Sequence, residues 1–169
     1  VMRWDTSDGT KNIRPVWRIG DGWQHSIPSE QRPLYALDRL VADAGARVFV
    51  VEGEKCVDQL AALGLLATTS PSGASSAAKA DWSPLAGREV VILPDADDAG
   101  RKYAEEVLGL LLALDPPARA AIAPLPGLTL GEDAVEFVER VHSRDTAAAR
   151  TAIDELAASA LATAMIRAT

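Results

Sequence analysis

Two continuous apolar runs, Val48-Phe49-Val50-Val51 and Val90-Val91-Ile92-Leu93, constrain the fold of this chain more than any other feature. Runs rich in Val and Ile that do not alternate with polar residues read as strands covered on both faces, the condition of a parallel sheet. Parallel neighbours need long crossovers, so helices are expected between them. Each run leads into acid. Glu52-Gly53-Glu54-Lys55 follows the first, and Pro94-Asp95-Ala96-Asp97-Asp98-Ala99-Gly100 follows the second. Ligands of open parallel sheets collect at the carboxyl ends of the strands, where Glu52, Asp95 and Asp97 fall. Three carboxylates converging there repel one another unless a cation lies between them, and oxygen donors of this kind suit Mg²⁺ or Mn²⁺.

Around these runs the sequence alternates strand and helix. Strands are predicted at about 47–52, 66–69, 89–94 and 119–124. A helix from Lys55 to Leu63 carries Cys56, Val57, Leu60 and Leu63 on one face, with Gly64 as its stop. A second follows Asp98 as cap, with Ala104, Val107, Leu108 and Leu111 at helical spacing until Pro116-Pro117. Helices from Asp133 to Val141 and from Thr146 to Ile166 complete this part. Upstream, Leu34, Leu37, Leu40 and Val41 keep helical spacing towards Gly45. Residues 1–26 read differently, as a small antiparallel meander with turn signals at Asp8-Gly9 and Gly20-Asp21-Gly22. The expected organisation is therefore a β meander and connector helix over 1–45, an α/β domain over 46–141 and a C-terminal helix over 142–169.

Bulk properties exclude several classes. One cysteine, Cys56, leaves no internal disulfide, and with only two histidines there are too few ligands for a structural zinc site. No apolar run approaches the roughly 20 residues that span a bilayer, so no membrane partner and a cytoplasmic location are expected. The net charge of −7 argues against a broad basic grip on nucleic acid. Residues 1–33 hold five basic and four acidic side chains, about +1, so the remainder carries about −8. The opening residues from Val1 read as mid-fold, which suggests a piece of a longer polypeptide.

Asp95 and Asp97 lie two apart, so on an extended segment both carboxylates face one side. The plainer reading makes Asp95 a turn residue and Asp97 or Asp98 a helix cap; Glu52 at a second strand end favours metal binding. Lys55, Arg101 and Lys102 sit in predicted first turns of helices, where basic residues oppose the helix dipole by roughly 0.3–1 kcal/mol each. Facing substrate phosphates would explain their placement; simple solvation is the alternative. Ser72 and Gly73, in a loop of small polar residues, could approach phosphate through backbone amides. Arg14, Trp17 and Arg18 interleave basic and aromatic groups in a way that suits single-stranded nucleic acid, although tryptophans in so small a meander also serve as its core.

The order of the acids is informative. Haloacid-type phosphatases place Asp-x-Asp after their first strand, and receiver domains place an acidic pair there. Here a single Glu-Gly comes first and Asp95-Ala96-Asp97, closely followed by Gly100, comes two strands later. In this the chain resembles the Toprim domain of primases, topoisomerases and certain nucleases, over about residues 46–140. Glu52-Gly53-Glu54-Lys55, the upstream Pro33-Leu34-Tyr35-Ala36-Leu37 and the later Gly131-Glu132-Asp133 resemble its bacterial and phage primase or primase–helicase branch most.

The resemblance implies a Toprim-like, four-stranded, mostly parallel sheet flanked by helices, here with a small N-terminal antiparallel β appendage. It implies that Asp95 and Asp97 bind Mg²⁺ or Mn²⁺, that Glu52 is a further ligand or the general acid/base, and that Asp133 helps hold a second ion. Glu136 stands where that branch commonly has Asp. The implied activity is nucleotidyl transfer by a DNA primase, making RNA primers from nucleoside triphosphates on single-stranded DNA. A replicative helicase or a flanking zinc-binding domain would accompany it in a longer protein. The alternatives are a Toprim nuclease cutting DNA and a non-catalytic module that binds nucleic acid or a replication partner.

Overall fold

A computed structural model describes residues 2–5, 11–14, 17–19, 21–24, 31–71 and 74–168. At the front, β1 (Met2–Asp5) pairs antiparallel with β2 (Lys11–Arg14), and β3 (Trp17–Ile19) pairs antiparallel with β4 (Gly22–Gln24). Among the described residues, the segment expected as one meander forms two two-stranded sheets. The connector contributes β5 (Arg32–Pro33) and then α1 (Leu37–Ala42).

The expected apolar face of α1 holds only in part. Leu34 precedes the helix and is buried, Leu40 is its one buried residue, and Val41 is 70% exposed. The six-residue helix, entered with Ala36 at a φ of 56°, buries Leu40 fully and packs Leu37 in part against the same layer, while Val41 faces out. Its C-terminal end and the turn after it are tied down by Arg88, whose guanidinium donates to the carbonyl oxygens of Leu40 at 2.9 Å, of the C-cap Asp43, and of Ala46 beyond it at 2.9 Å.

From here the chain alternates. β6 (Val48–Val51) leads to α2 (Glu54–Ala62) and β7 (Ala67–Thr68). A 3₁₀ turn over Ala74–Lys79 precedes β8 (Ala80–Asp81), which pairs parallel with β5, and a second over Ser83–Leu85 precedes β9 (Glu89–Leu93). Then come α3 (Asp98–Leu112), β10 (Arg119–Ile122), α4 (Ala134–Glu136) continuing as a π turn over Phe137–Val141, and α5 (Thr146–Ala168). The main sheet has the order β10-β9-β6-β7, with every pairing parallel. The fold is α/β.

Strand alternation splits the core into two layers. Phe49, Val51, Val91 and Leu93 face one side, where α2, the α4 segment and α5 cover them with Leu60, Phe137 and Ile153. Val48, Val50, Val90 and Ile92 face the other, beneath Leu40, Trp82, Leu85 and the α3 residues Tyr103, Val107 and Leu111. Every residue of β6 is buried, as the unbroken apolar run demanded. In α2 the predicted face of Cys56, Val57, Leu60 and Leu63 is buried throughout, whereas in α3 Leu108 packs only at the edge and Tyr103 takes the central place. Helix α5 buries Ala149, Ile153, Ala157 and Leu161 in the same layer as α2.

Candidate functional site

Register sets the site. Val51 lies opposite Leu93 across the β6–β9 ladder, so the two central strands end level and Glu52 leaves the sheet beside the Pro94-Asp95 exit. On the other flank Thr68 lies opposite Val50, which brings Thr69 and Ser70 to the same edge.

The loop after β9 is tightly made. The Asp97 N–H donates back to the Asp95 carbonyl at 2.9 Å, closing a three-residue turn on Ala96. The segment is therefore turned at Ala96, and not the extended strand that the two-residue spacing suggested. Asp97 itself is extended and caps α3, one carboxylate oxygen accepting from the Gly100 N–H at 2.7 Å. The expected cap, Asp98, is instead the first helical residue. Gly100 has a packing reason: a Cβ there would meet the Asp95 carbonyl oxygen at 2.6 Å and the Asp95 nitrogen at 2.8 Å. The Ala96 N–H donates to the Glu132 carbonyl at 2.8 Å and the Gly131 N–H to the Ala96 carbonyl at 3.1 Å, which draws the Asp133 segment against this loop.

Asp133 and Glu136 form a capping box at the start of α4. An Asp133 carboxylate oxygen accepts from the Val135 N–H at 2.6 Å, while Glu136 accepts from the Asp133 N–H at 3.0 Å. The loop before them is clamped by Glu132, which accepts from the Thr129 N–H and from Arg140, itself bonded to the Gly127 carbonyl at 2.8 Å. These contacts hold the Glu132 carboxyl well below the usual range, at about 2.

Glu52, Asp95, Asp97 and Asp133, with Glu136 beside them, share one electrostatic neighbourhood. Burial, then the charges of Glu52, Asp133, Asp97 and Glu136, push the Asp95 carboxyl up to about 7. Glu52 is raised too, by burial and then by Asp97. Below them Cys56 is buried, and its thiol is raised by burial and by Asp133, which also accepts its hydrogen bond. Among the described residues no three His, Cys, Asp or Glu side chains already stand at ligand spacing. The carboxylates feel one another without closing on a common point. All four are oxygen donors of the hard kind that divalent Mg²⁺ or Mn²⁺ favours, and Asp97 can cap with one oxygen and present the other.

Beside Asp95, on the β10 side, lies an open cleft of about 900 Å³. Asp95, Asp97, Asp98 and Arg101 line one wall, and Ile122, Pro124 and Leu130 the other. Glu52, after β6, stands on the far side of Asp95 from this cleft. Lys55 is exposed in the first turn of α2, whereas Lys102, expected in a first turn, is the fifth residue of α3 and lies exposed just beyond it. Arg101 is engaged by its own helix, 3.0 Å from Glu105 and 3.6 Å from Asp98. Ser72 and Gly73 lie outside the described residues. Arg14 falls in β2 and Trp17 and Arg18 in β3, but their side chains also lie outside what is described.

Sequence reasoning missed a set of buried hydroxyls beneath this edge. Thr69, Ser70 and Tyr103 are 0%, 1% and 2% exposed. The Tyr103 hydroxyl lies 3.0 Å from the Ser70 hydroxyl and 3.5 Å from that of Thr69, and accepts from the Ser70 N–H at 3.3 Å. Thr69 in turn accepts from the Gly53 N–H at 3.2 Å. The available signal was Thr68-Thr69-Ser70 closing an otherwise apolar strand, together with one tyrosine on the apolar face of α3.

Comparison of the chain with protein-family models, curated proteins and solved structures finds no match. No helix among the described residues is long and apolar enough to cross a membrane.

Proposed function

We propose that this chain is a Toprim-like metal-dependent nucleotidyl-transfer domain of the DNA primase type, which joins nucleoside triphosphates into RNA primers on single-stranded DNA. What supports the reading is the level ending of β6 and β9, which sets Glu52 beside Asp95 with Asp97 and Asp133 in mutual electrostatic reach. A divalent ion bound there would supply positive charge to phosphate oxygens and lower the cost of placing a polyanion against four acids.

Asp95 and Asp97 are the residues to hold that ion, and Asp133 is placed to share in a second site. Glu52, raised by burial and by its acidic neighbour, is suited to take the proton of an attacking hydroxyl and return it to the leaving group. Lys55 and Lys102 are exposed near the starts of the two helices that follow the acidic loops, and would meet phosphates of template or nucleotide. Arg101 has a competing duty in its ion pairs with Asp98 and Glu105.

The test is an extension assay with single-stranded template, the four nucleoside triphosphates and Mn²⁺, run beside a plasmid-nicking assay. Template-dependent oligoribonucleotides that vanish in Glu52→Gln support the proposal. Nicking without synthesis would make the domain a nuclease. Neither activity, with DNA binding unchanged in Glu52→Gln, would make it a binding module.

A further inference from the structure

We propose that Thr69, Ser70 and Tyr103 are positioning residues, a buried hydroxyl relay that locks the Glu52-Gly53 loop to the start of α3 and so fixes Glu52 against Asp97. The proposal rests on the reading of Glu52 as the proton-handling group.

The accounting of hydrogen bonds motivates it. A tyrosine hydroxyl in an apolar layer loses its water and needs partners, and phenylalanine would fill the same volume without that cost. Tyr103 keeps the hydroxyl and spends it on the two residues that leave β7 at the site: it accepts from the Ser70 N–H and meets the Ser70 and Thr69 hydroxyls. The Thr69 oxygen then receives the Gly53 N–H. Gly53 is the N-cap of α2, and its φ of 89° and ψ of 148° are open to glycine almost alone. The Gly53 carbonyl is held by α2, accepting from the Val57 N–H at 3.3 Å, and the Thr69 oxygen takes its amide on the other side. Tyr103 lies on α3 five residues beyond its start, so the relay runs from the helix capped by Asp97 to the loop that presents Glu52. A reacting pair held this way loses rate steeply when one member drifts by about 1 Å.

The experiment compares wild type, Tyr103→Phe, Thr69→Val and Thr69→Ser in the full chain, each first checked for a cooperative melt. Amide hydrogen exchange is read at Gly53 and Ser70 with no metal or substrate, and turnover is then measured with Mn²⁺. The expected result is faster exchange at both amides in Tyr103→Phe and at Gly53 in Thr69→Val. In both variants kcat should fall about tenfold or more at unchanged KM for nucleotide. Thr69→Ser, which keeps the oxygen, should restore both. Unchanged exchange overturns the proposal, and so does faster exchange at undiminished kcat. Wild type that neither binds Mn²⁺ nor turns over overturns the reading of the site and the role in turnover with it; the exchange data, taken without metal, tell that failure from a failure of the relay.

Discussion

The two acidic loops at the sheet edge are built on opposite plans. The Asp95–Gly100 loop is closed by packing: a three-residue turn, a carboxylate cap, two backbone bonds to the 131–132 segment, and a glycine whose missing Cβ lets α3 touch the Asp95 backbone. The Glu52-Gly53 loop is open. A Cβ on Gly53 would meet nothing within 4 Å, and its glycine is required by backbone angle alone. One loop has its acids preset by several contacts, while among the described residues the other is tied to the rest of the sheet edge through the Gly53 amide on Thr69 and to α2 through the Gly53 carbonyl. A site that must hold an ion firmly and move a proton with a separate group gains from that division, because rigid ligands and an adjustable base have different demands.

Substituting the two glycines breaks the comparison most directly. In Gly100→Ala the obstructing atoms are backbone and cannot swing away, so a loss of about 3 kcal/mol, the upper part of the overpacking range, is expected in urea denaturation. Mn²⁺ affinity should fall with it, since Asp95 must move. In Gly53→Ala only the backbone angles are penalised, at about 1–3 kcal/mol, and Mn²⁺ affinity should hold while turnover drops. Equal losses of metal affinity in the two variants would erase the distinction between the loops.

The pH dependence of stability sharpens it next. Folded, Asp95 keeps its proton to about 7 against an ordinary value of 3.8. Between those values the folded chain binds more protons than the unfolded one, so without metal this group makes stability fall as pH rises from about 4 to 7. A difference of that size is worth at most about 4 kcal/mol, reduced to about 1–2 kcal/mol because the site is open to solvent. Asp95→Asn should flatten that slope in denaturation curves taken across the window. Saturating Mn²⁺ should reverse it, since the ion favours the charged form.

The surface cations give the smallest effects. Lys55→Ala and Lys102→Ala should each lower the salt slope of single-stranded DNA binding by about 1, measured by fluorescence anisotropy. Arg101→Ala should change it less, because Arg101 already faces Asp98 and Glu105. A larger effect from Arg101 would show that the ion pairs open on binding.

Much of this was legible from residue pattern, and what was not has physical causes. The unbroken runs at 48–51 and 90–93 pointed to buried parallel strands, because a strand with one wet face would alternate apolar and polar residues. Cys56, Val57, Leu60 and Leu63 gave the inner face of α2 for the same reason. Val41 misled: the inward face of α1 is taken by Leu37 and Leu40, three apart, and the next residue points away from the sheet. Asp98 misled because Asp97 and Asp98 cap equally well in isolation; the choice was made by Gly100 docking on Asp95, a contact between segments that local sequence does not encode. The relay of Thr69, Ser70 and Tyr103 was hidden for a similar reason, since it joins residues 33 or 34 apart.

The most direct test is titration calorimetry with Mn²⁺ on the wild type and on an Asp95→Asn/Asp97→Asn variant. Asparagine can accept the Gly100 N–H, so the α3 cap survives and the variant should fold while losing two charges. Saturable binding in the wild type that weakens at least a hundredfold in the variant is the expected result. Equal affinity in both, or none in a folded wild type, would contradict a metal centre at the ends of β6 and β9.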